Sequence, residues 1–328
     1  NLRVALYRLR AQIEPYLLIS RQQLALNPNA VVNLDALQFE RYLAAGQLEL
    51  ATALYRSDFL DGFYLDGSPA FEQWALLERE RKKGERLLGT PAAKEAVLER
   101  IYRGALVHEP GEAAVYGDLD FILLGAIVET VSGQPLGEFA AARIFAPLGM
   151  TDTRFVRVGD GAPELSDALR RRFAATENCP WRGRVLWGEV HDPNAWAMGG
   201  VAGHAGLFAT ADDVMRFAQA VIDVWHARSD VFPREWLVRF LTRSDAPAHT
   251  TWALGWDTPT PGASSAGRYF SPTSVGHLGF TGTSLWIDLE REAAVVMLTN
   301  RVHLVAKRSK FELRAIVHDL VMESFLAE

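Results

Sequence analysis

The sequence predicts an α+β fold, in which helices pack against an antiparallel sheet. Near the C-terminus, residues 276–287 and 293–299 have the pattern of neighbouring β-strands, and the polar segment 288–292 between them is a turn. An amphipathic pattern over residues 311–325 then predicts a closing helix. Strands followed by such a helix are typical of a sheet with a helical layer, which is why we expect this architecture.

Composition supports a folded chain with a substantial core. The 328 residues are 49% hydrophobic and include 17 Phe and 9 Trp, which excludes a largely disordered or collagen-like protein. The formal net charge of −6 argues against a surface devoted to nucleic acid. The longest apolar run, residues 121–128, is far shorter than the roughly 18 residues of a membrane span. We therefore expect a soluble, globular, two-part protein without a membrane segment.

The first part of the chain is predicted to be mainly helical. A helix over the first residues ends at Pro15, and short strands follow at 16–20 and 23–26 before a turn at 27–29. Residues 34–55 then carry the spacing of amphipathic helices.

A change in charge balance marks a domain boundary. A charged helical stretch over residues 77–86 leads into a join rich in Gly and Pro. Residues 1–83 carry ten basic and ten acidic side chains, whereas 84–328 carry 24 basic and 30 acidic. We therefore place the boundary at about residue 85.

The second part mixes helices with strands and loops. Helical patterns resume at Ala92 and cover three longer segments: 119–132, 136–145 and 211–226. Thr210 has the character of an N-cap for the last of these. Residues 155–208 are rich in Gly and Trp and are predicted to form a long loop region.

Several segments of the first part resemble one family of regulators. They are the stretch from Asn1 to Arg10, the pairs Leu34-Asp35 and Phe39-Glu40, the stretch from Leu54 to Phe63, and Phe71-Glu72 with Trp74 and 78–81. Residues 1–83 are similar to regulators of the Streptomyces antibiotic regulatory protein type. The resemblance implies that 1–32 are a winged-helix remnant, its last helix and wing. It also implies that 33–85 are part of a small, mainly α, TPR-like bacterial transcriptional activator domain.

That resemblance implies a DNA-reading helix. One face of the first helix carries Arg3, Tyr7 and Arg10, and Arg side chains bond phosphates and guanine edges in the major groove. The alternative is the exposed face of any amphipathic helix. We favour this alternative, because the helices that orient a reading helix are not in the sequence. The expected DNA contact is accordingly weak.

Four motifs of the second part resemble a different family. They lie at residues 116–125, 147–155, 191–208 and 276–284, in the order and spacing of that family. Residues from about 90 onward are similar to serine β-lactamases and penicillin-binding proteins, nearest the class C, esterase-like and D-Ala-D-Ala carboxypeptidase-like members. The resemblance implies a small acyl substrate. It also implies a β-lactamase-like antiparallel sheet with helices over 86–328, incomplete because the Ser-x-x-Lys segment is missing.

The resemblance implies roles for individual residues. Tyr116 matches a family Tyr that, as a partial phenolate, takes the proton of the reacting serine. Asp118 stands in the same motif, where the family commonly has Asn. The alternative for Tyr116 is a buried side chain with a structural partner.

A second motif supplies the strand side of this implied site. His277 begins a His-x-Gly segment like that of the esterase-like members. There Gly279 lets the substrate lie close to the strand, and the N–H of Phe280 donates to the oxyanion. Thr281 completes the implied substrate-binding residues. An ordinary strand residue is the alternative for His277.

The nucleophile expected of this family is missing. None of the five lysines has a Ser three residues before it, and a Gly-x-Ser-x-Gly motif is absent as well. We therefore predict little or no acyl transfer by this chain. We also expect exposed apolar surface and self-association, because the missing segment normally covers the sheet.

Other residue patterns predict no metal and no cofactor. His191, Asp192 and His204 lack the spacing of a known metal class, and no phosphate-binding Gly-rich motif is present. The single Cys179 excludes an internal disulfide and is interpreted as a lone thiol in a loop. Trp residues such as Trp286 are expected to pack in the core and loops.

Three functions stay open. The first is a serine acyl hydrolase for an ester, a β-lactam or a D-Ala peptide, inactive without its nucleophile. The second is a transcriptional-regulator fragment whose hydrolase-like half is a sensor or scaffold. The third is a non-functional fusion of two truncated genes. No signal peptide is visible, so we expect a cytoplasmic location.

Overall fold

The computed structural model divides the chain into two compact units, Asn1–Lys82 with Cys179–Arg184 and Lys83–Asn178 with Val185–Glu328. Most of the described residues belong to the second unit. The described residues are 17–19, 24–26, 38, 41–42, 45, 47, 92–104, 106, 108–159, 161–179, 182–245, 247, 250–262, 264–303 and 312–327.

In the first unit, two short strands pair antiparallel. They are β1 (Leu17–Ile19) and β2 (Leu24–Leu26), aligned along their full length. The strands predicted at 16–20 and 23–26 are thus confirmed.

Other predictions for this unit lie outside the described residues. They include the helix that carries Arg3, Tyr7 and Arg10 and nearly all of the helices expected between residues 34 and 86. The DNA contact and the TPR-like segment therefore stay predictions.

From residue 92 onward, the described chain alternates helices with short strands. The α-helices are α1 (Ala92–Tyr102), α2 (Asp118–Ser132), α3 (Leu136–Ala140), α4 (Asp167–Arg170), α5 (Pro193–Ala197), α6 (Ala211–Trp225), α7 (Arg234–Leu241) and α8 (Glu312–Leu326). A turn of π-helix, Ala141–Phe145, continues α3. The strands are β3 (Arg154–Phe155), β4 (Ala175–Cys179), β5 (Arg184–Trp187), β6 (Leu207–Phe208), β7 (Val275–Leu278), β8 (Ser284–Asp288) and β9 (Ala293–Met297).

Three antiparallel strands form the main sheet, in the order β7-β8-β9. Gly276 pairs with Trp286 across β7 and β8, and Trp286 pairs with Val295 across β8 and β9. The single strand predicted at 276–287 is wrong, because residues 279–283 form a connection that separates β7 from β8. Phe and Thr favour strands and occupy this connection, so the sequence pattern there does not differ from that of a strand. The antiparallel sheet with helices nevertheless confirms the predicted α+β class.

The faces of this sheet pack against different helices, because successive strand residues point to opposite sides. Ile287 shares a core cluster with Val221 of α6. Its neighbour Trp286 is fully buried and shares a cluster with Met322 of α8. The core role expected of Trp286 is confirmed, and both helices are held through residues of one strand.

The long helices match their predicted ranges. α2 ends at Ser132, where Gly133 adopts a left-handed conformation with φ 67° and donates its N–H to the Glu129 carbonyl. The Thr210 side chain caps α6 by accepting the Asp213 N–H, as expected. Among the described residues, no helix by itself has the length and apolar character of a membrane span. Only α2 taken together with Leu136–Phe145, which bends away from it by 77°, meets both criteria.

Residues 155–208 do not form one long loop, which corrects the prediction. In this region β3 pairs with β6 and β4 pairs with β5, and α4 and α5 are short helices. None of these elements exceeds five residues, so none shows a periodic pattern in the sequence. Cys179 is buried at the end of β4, so its interpretation as a loop thiol is also wrong.

Candidate active site

Predicted site residues from two distant motifs meet between α2 and β7. Tyr116 lies two residues before Asp118, the first residue of α2, and Gly117 between them is the N-cap. His277 lies in β7. The ring centres of Tyr116 and His277 are 5.8 Å apart, so the fold brings both motifs to one place.

Two aromatic residues that the sequence analysis missed complete this cluster. Trp252 stacks on Tyr116, with ring centres 5.5 Å apart and planes inclined by 14°. Phe121 meets the His277 ring edge-on at 5.9 Å. Phe121 belongs to the same motif as Tyr116, and that proximity was a usable signal. Trp252 is positioned by a bridge with Asp257, which itself pairs with β7, and no local pattern indicates this.

Burial keeps His277 neutral. It lowers the pKa of the imidazole, against the opposing effects of a hydrogen bond to the Leu278 carbonyl and of the Asp257 charge. The Nδ1 atom lies 2.9 Å from that carbonyl oxygen, which assigns the proton to Nδ1. The Nε2 atom is buried and has no hydrogen-bond partner in the described structure. His277 therefore offers an unprotonated nitrogen that can accept a hydrogen bond.

The Tyr116 hydroxyl keeps its proton at neutral pH. Burial raises the pKa of this phenol, and the nearby Asp118 carboxylate raises it further. Lys94, the one lysine among the described residues, lies 2.6 Å from Glu129 in an ion pair. The raised pKa opposes the partial phenolate that the resemblance implies, and that role of Tyr116 stays a prediction.

Asp118 belongs to a cluster with Asp192 and His204. His204 Nε2 lies 2.9 Å from Asp192 Oδ1, which also accepts the Ala195 N–H at the start of α5. Burial alone would raise the pKa of Asp192, but the hydrogen bond and charge of His204 and the Ala195 N–H hold it below its usual value. Burial also raises the pKa of Asp118; His204 opposes that effect and Asp192 adds to it.

The same cluster has the geometry to hold a cation. Asp118, Asp192 and His204 offer ligand atoms that all lie within 4.8 Å of one another. A mixed set of carboxylates and imidazole suits divalent transition metals. The sequence analysis expected no metal because it compared only neighbouring motifs, whereas Asp118 comes from another part of the chain. The present contacts equally fit a hydrogen-bonded acid–imidazole cluster.

The residues after His277 form a tight turn. Gly279 donates its N–H to the Thr283 carbonyl at 2.8 Å, and its own carbonyl accepts the Gly282 N–H at 3.1 Å. A Cβ atom at Gly279 would collide with the Thr283 hydroxyl, so a larger residue there would force the Thr283 side chain to rotate. Among the described residues, no backbone carbonyl accepts the Phe280 N–H. Half-buried Thr281 accepts the Arg301 N–H through its carbonyl.

The Phe280 ring forms an exposed edge of the site. Its residue is 69% exposed. The ring lies 5.5 Å from the His191 ring in a stacked arrangement, and the Arg301 guanidinium lies 5.2 Å from its centre. The predicted residues of β7 and its turn therefore contact both the 191–208 motif, through His191, and the motif that contains Tyr116.

Comparisons with known proteins concern most of the chain. The family model named Beta-lactamase matches residues 52–319. A protein named "Putative D-alanyl-D-alanine carboxypeptidase" from Escherichia coli O157:H7 is 38% identical over 228 residues, covering 64% of this chain and 50% of that protein. Its namesake from strain K12 is 38% identical over 224 residues, with the same coverage of 64% and 50%. The chain spans about half the length of these curated relatives.

A solved structure shares the fold. Unliganded simvastatin synthase from Aspergillus terreus superimposes with a TM-score of 0.52 at 15% identity, covering 98% of this chain and 77% of that chain. At this identity the likeness concerns the fold alone. The family match begins at residue 52, inside the segment 33–85 predicted as an activator domain. These comparisons do not support the regulator resemblance, which stays a prediction.

Proposed function

The chain belongs to the Beta-lactamase family, and on that premise we propose that it holds the acyl-binding part of a serine-hydrolase site. The proposed substrates are D-Ala-terminated peptides and related esters or β-lactams. The observation that carries the proposal is the meeting of Tyr116 with His277, whose neutral Nε2 is buried without a partner in the described structure. The carboxypeptidase names of the relatives support the substrate class.

Each group has a chemical part in this function. A serine hydroxyl attacks the acyl carbon, its proton moves to a base, and the acyl–oxygen or acyl–nitrogen bond breaks as the leaving group takes a proton. His277 Nε2, kept unprotonated because burial disfavours the imidazolium, is suited to accept a hydrogen bond from the serine hydroxyl or the substrate. The Tyr116 hydroxyl, kept protonated, is suited to donate a hydrogen bond. The Phe280 N–H is suited to stabilise the negative oxygen of the tetrahedral intermediate.

Asp118 bears on which substrates bind. An ionised carboxylate only accepts hydrogen bonds, whereas the Asn common at this position also donates them. The negative charge of Asp118, close to Tyr116, therefore favours a substrate that presents an N–H or an ammonium group. The raised pKa of Asp118 makes this preference strongest well above pH 4.

Acyl transfer itself needs a nucleophile that the sequence does not contain in its family form. No Ser-x-x-Lys is present, so we propose that this chain binds acyl compounds and transfers little or no acyl group by itself. Intact-mass analysis after incubation with a fluorophosphonate and with a fluorescent penicillin tests this. We expect no stoichiometric adduct; an adduct on one Ser, located by peptide mapping, would refute the proposed inactivity.

Binding is tested separately with N-acetyl-D-Ala-D-Ala by isothermal titration calorimetry. Removing the phenol hydroxyl in Tyr116→Phe is expected to weaken binding about three- to tenfold, the value of one hydrogen bond. Tyr102→Phe is the matched control, because Tyr102 is 65% exposed at the end of α1. Equal affinities of the two variants, or no binding by the parent chain, would overturn the proposed function.

A further inference from the structure

The peptide bond between Gly279 and Phe280 is held from its carbonyl side. A trans peptide is planar, so its C=O and N–H point in opposite directions and move as one body. The Gly279 carbonyl accepts the Gly282 N–H of the turn and, in addition, a hydrogen bond from Arg314 Nη2 at 2.5 Å. The N–H on the other side belongs to Phe280, the proposed oxyanion donor. A group that holds the Gly279 carbonyl therefore also sets the direction of the Phe280 N–H.

Arg314 reaches the turn from a helix far along the chain. It lies near the start of α8 and is only 4% exposed. One turn later on α8, His318 is fully buried, with its Nε2 3.0 Å from Ser284 Oγ at the start of β8 and its Nδ1 2.8 Å from the Ser265 carbonyl. The helix is therefore fixed against the strand that follows the turn, which gives Arg314 a rigid base.

A second arginine holds the next carbonyls. Arg301 Nε donates to the Phe280 carbonyl at 2.7 Å, and the Arg301 backbone N–H donates to the Thr281 carbonyl at 2.9 Å. Three successive carbonyls, those of Gly279, Phe280 and Thr281, thus accept hydrogen bonds from two arginines. Guanidinium groups hold the Gly279 and Phe280 carbonyls, and a backbone N–H holds that of Thr281. The Phe280 N–H has no backbone acceptor in the described structure.

We propose that Arg314 is a positioning residue for oxyanion stabilisation. Its charge-assisted hydrogen bond orients the Gly279–Phe280 peptide and strengthens the Phe280 N–H as a donor. Hydrogen bonds in series polarise one another, so a guanidinium on the carbonyl makes the N–H of the same peptide more acidic in character. The inference rests on the proposed function, because that function assigns the Phe280 N–H to the oxyanion. In this proposal Arg314 acts only through the Gly279 carbonyl.

Isotope labelling isolates this one peptide. The dipeptide Gly-Phe occurs only at 62–63 and 279–280, so a chain labelled with [1-13C]Gly and [15N]Phe gives two cross-peaks in an HNCO spectrum. Phe63→Leu removes the first of them and assigns the second. The experiment compares this peptide in Arg314→Met, Arg314→Lys and the parent chain, all without ligand.

The expected result is an upfield shift of the Phe280 amide proton in Arg314→Met, with a smaller shift in Arg314→Lys, which keeps the charge but not the planar donor group. Arg268→Met is the matched control, since Arg268 pairs with Asp319 of the same helix and does not contact Gly279. The control is expected to leave the resonance in place. An unmoved resonance in Arg314→Met, or an equal shift in Arg268→Met, would overturn the inference.

Folding and ligand binding are controlled in the same samples. Circular dichroism checks each variant; if Arg314→Met does not fold, the Arg314→Lys shift measured against Arg268→Met decides the question by the same criterion. Titration of the parent chain with N-acetyl-D-Ala-D-Ala then tests the premise. An amide that responds to Arg314 and not to this ligand would overturn the proposed function, whereas one that responds to the ligand and not to Arg314 would overturn only the positioning role.

Discussion

At the scale of single residues, the negative charge of Asp118 is the feature that most affects the site. It lies near Tyr116 and belongs to the cluster with Asp192 and His204. Burial and the Asp192 charge both raise the pKa of Asp118, so the folded chain opposes its ionisation. The carboxylate therefore costs stability at neutral pH, a cost that a functional role in substrate binding would explain.

Replacing this carboxyl by its neutral isostere is expected to stabilise the protein. A carboxyl whose folded pKa is raised costs nothing below its unfolded pKa, near 3.8, and increasingly more as the pH rises through the folded value. Asp118→Asn should therefore raise the melting temperature more at pH 7.5 than at pH 4.5. Asp120→Asn on the same helical turn is the comparison: burial alone raises the pKa of Asp120, so its gain should also be larger at pH 7.5. Differential scanning calorimetry measures the melting temperatures. A rise in melting temperature for Asp118→Asn that is larger at pH 4.5 than at pH 7.5 would contradict this account.

At the scale of elements, α2 and the 191–208 motif approach each other through glycines. Gly203 lies so close to α2 that a Cβ atom there would collide with the Phe121 carbonyl and come within 3.1 Å of the Gly125 nitrogen. A Cβ atom at Gly125 would in turn lie 3.1 Å from the Gly203 nitrogen. This contact keeps Phe121, and with it the Tyr116–His277 cluster, at its place in the fold.

Filling that contact is expected to be costly. Gly203→Ala should lower the free energy of unfolding by about 1–3 kcal/mol, since the added methyl group meets backbone that has little room to move. Gly137→Ala is the matched control: its methyl would make ordinary contacts at 3.6 Å with Phe155 and Val201. The control should be neutral or gain up to about 1 kcal/mol in helix propensity. Equal urea midpoints for the two variants would show that the close approach is not rigid.

Helix α8 brings a pH dependence to the fold. Burial lowers the pKa of His318, as does the Arg314 charge, against the Ser265 hydrogen bond and Asp319. The folded pKa thus lies below the unfolded value of 6.5, so the stability contributed by neutral His318 is present above pH 6.5 and is lost as the pH falls through the folded pKa. His277 has the same sign, again mainly through burial.

Urea unfolding at pH 7.5, 6.5 and 5.5 measures this effect. The free energy of unfolding is expected to decrease as the pH is lowered from 7.5 to 5.5. His318→Gln should reduce this dependence on pH, because the titrating group is gone. The double variant with His277→Gln should be flatter than either single variant. A slope unchanged by both substitutions would assign the acid sensitivity to other groups.

At the scale of the whole molecule, two helices expose apolar stripes. On α2 the exposed residues are Leu124, Ile127 and Val131, and on α8 they are Leu313, Ile316 and Leu320. Each set has the i, i+3, i+7 spacing of one helix face. Exposed apolar patches commonly mark contact surfaces. The sequence-based expectation concerned an uncovered sheet, whereas these residues lie on helices, so the expected self-association stays a prediction.

The self-association predicted from the sequence is therefore testable with single charges. Ile127→Lys and Ile316→Lys are each expected to lower the weight-average mass in light scattering and the binding of a hydrophobic dye, because a charge in an apolar contact is costly. Asp212→Lys, on an exposed polar position of α6, is the control. A parent chain that is monomeric and binds no dye would refute the prediction.

Features with a local signature could be predicted from the sequence. Long helices such as α2, α6 and α8 show periodicity over several turns, and the motifs around Tyr116 and His277 indicated the Beta-lactamase family that the family match shows. The absence of Ser-x-x-Lys is likewise a property of the sequence alone. The short strands and helices between 155 and 208 escaped prediction, because elements of five residues or fewer have no period to detect.

Other features were decided only by the tertiary structure. The contact of Trp252 with Tyr116, the union of Asp118 with Asp192 and His204, and the hydrogen bond from Arg314 to Gly279 each join distant parts of the chain. Burial and charge at these contacts set the protonation of Tyr116 and His277, and neither quantity is written in local sequence. The sequence by itself determined the family and the helices, since these depend on residue type and spacing. The fold decided the chemistry of the site, since pKa values and hydrogen-bond directions depend on what surrounds each group.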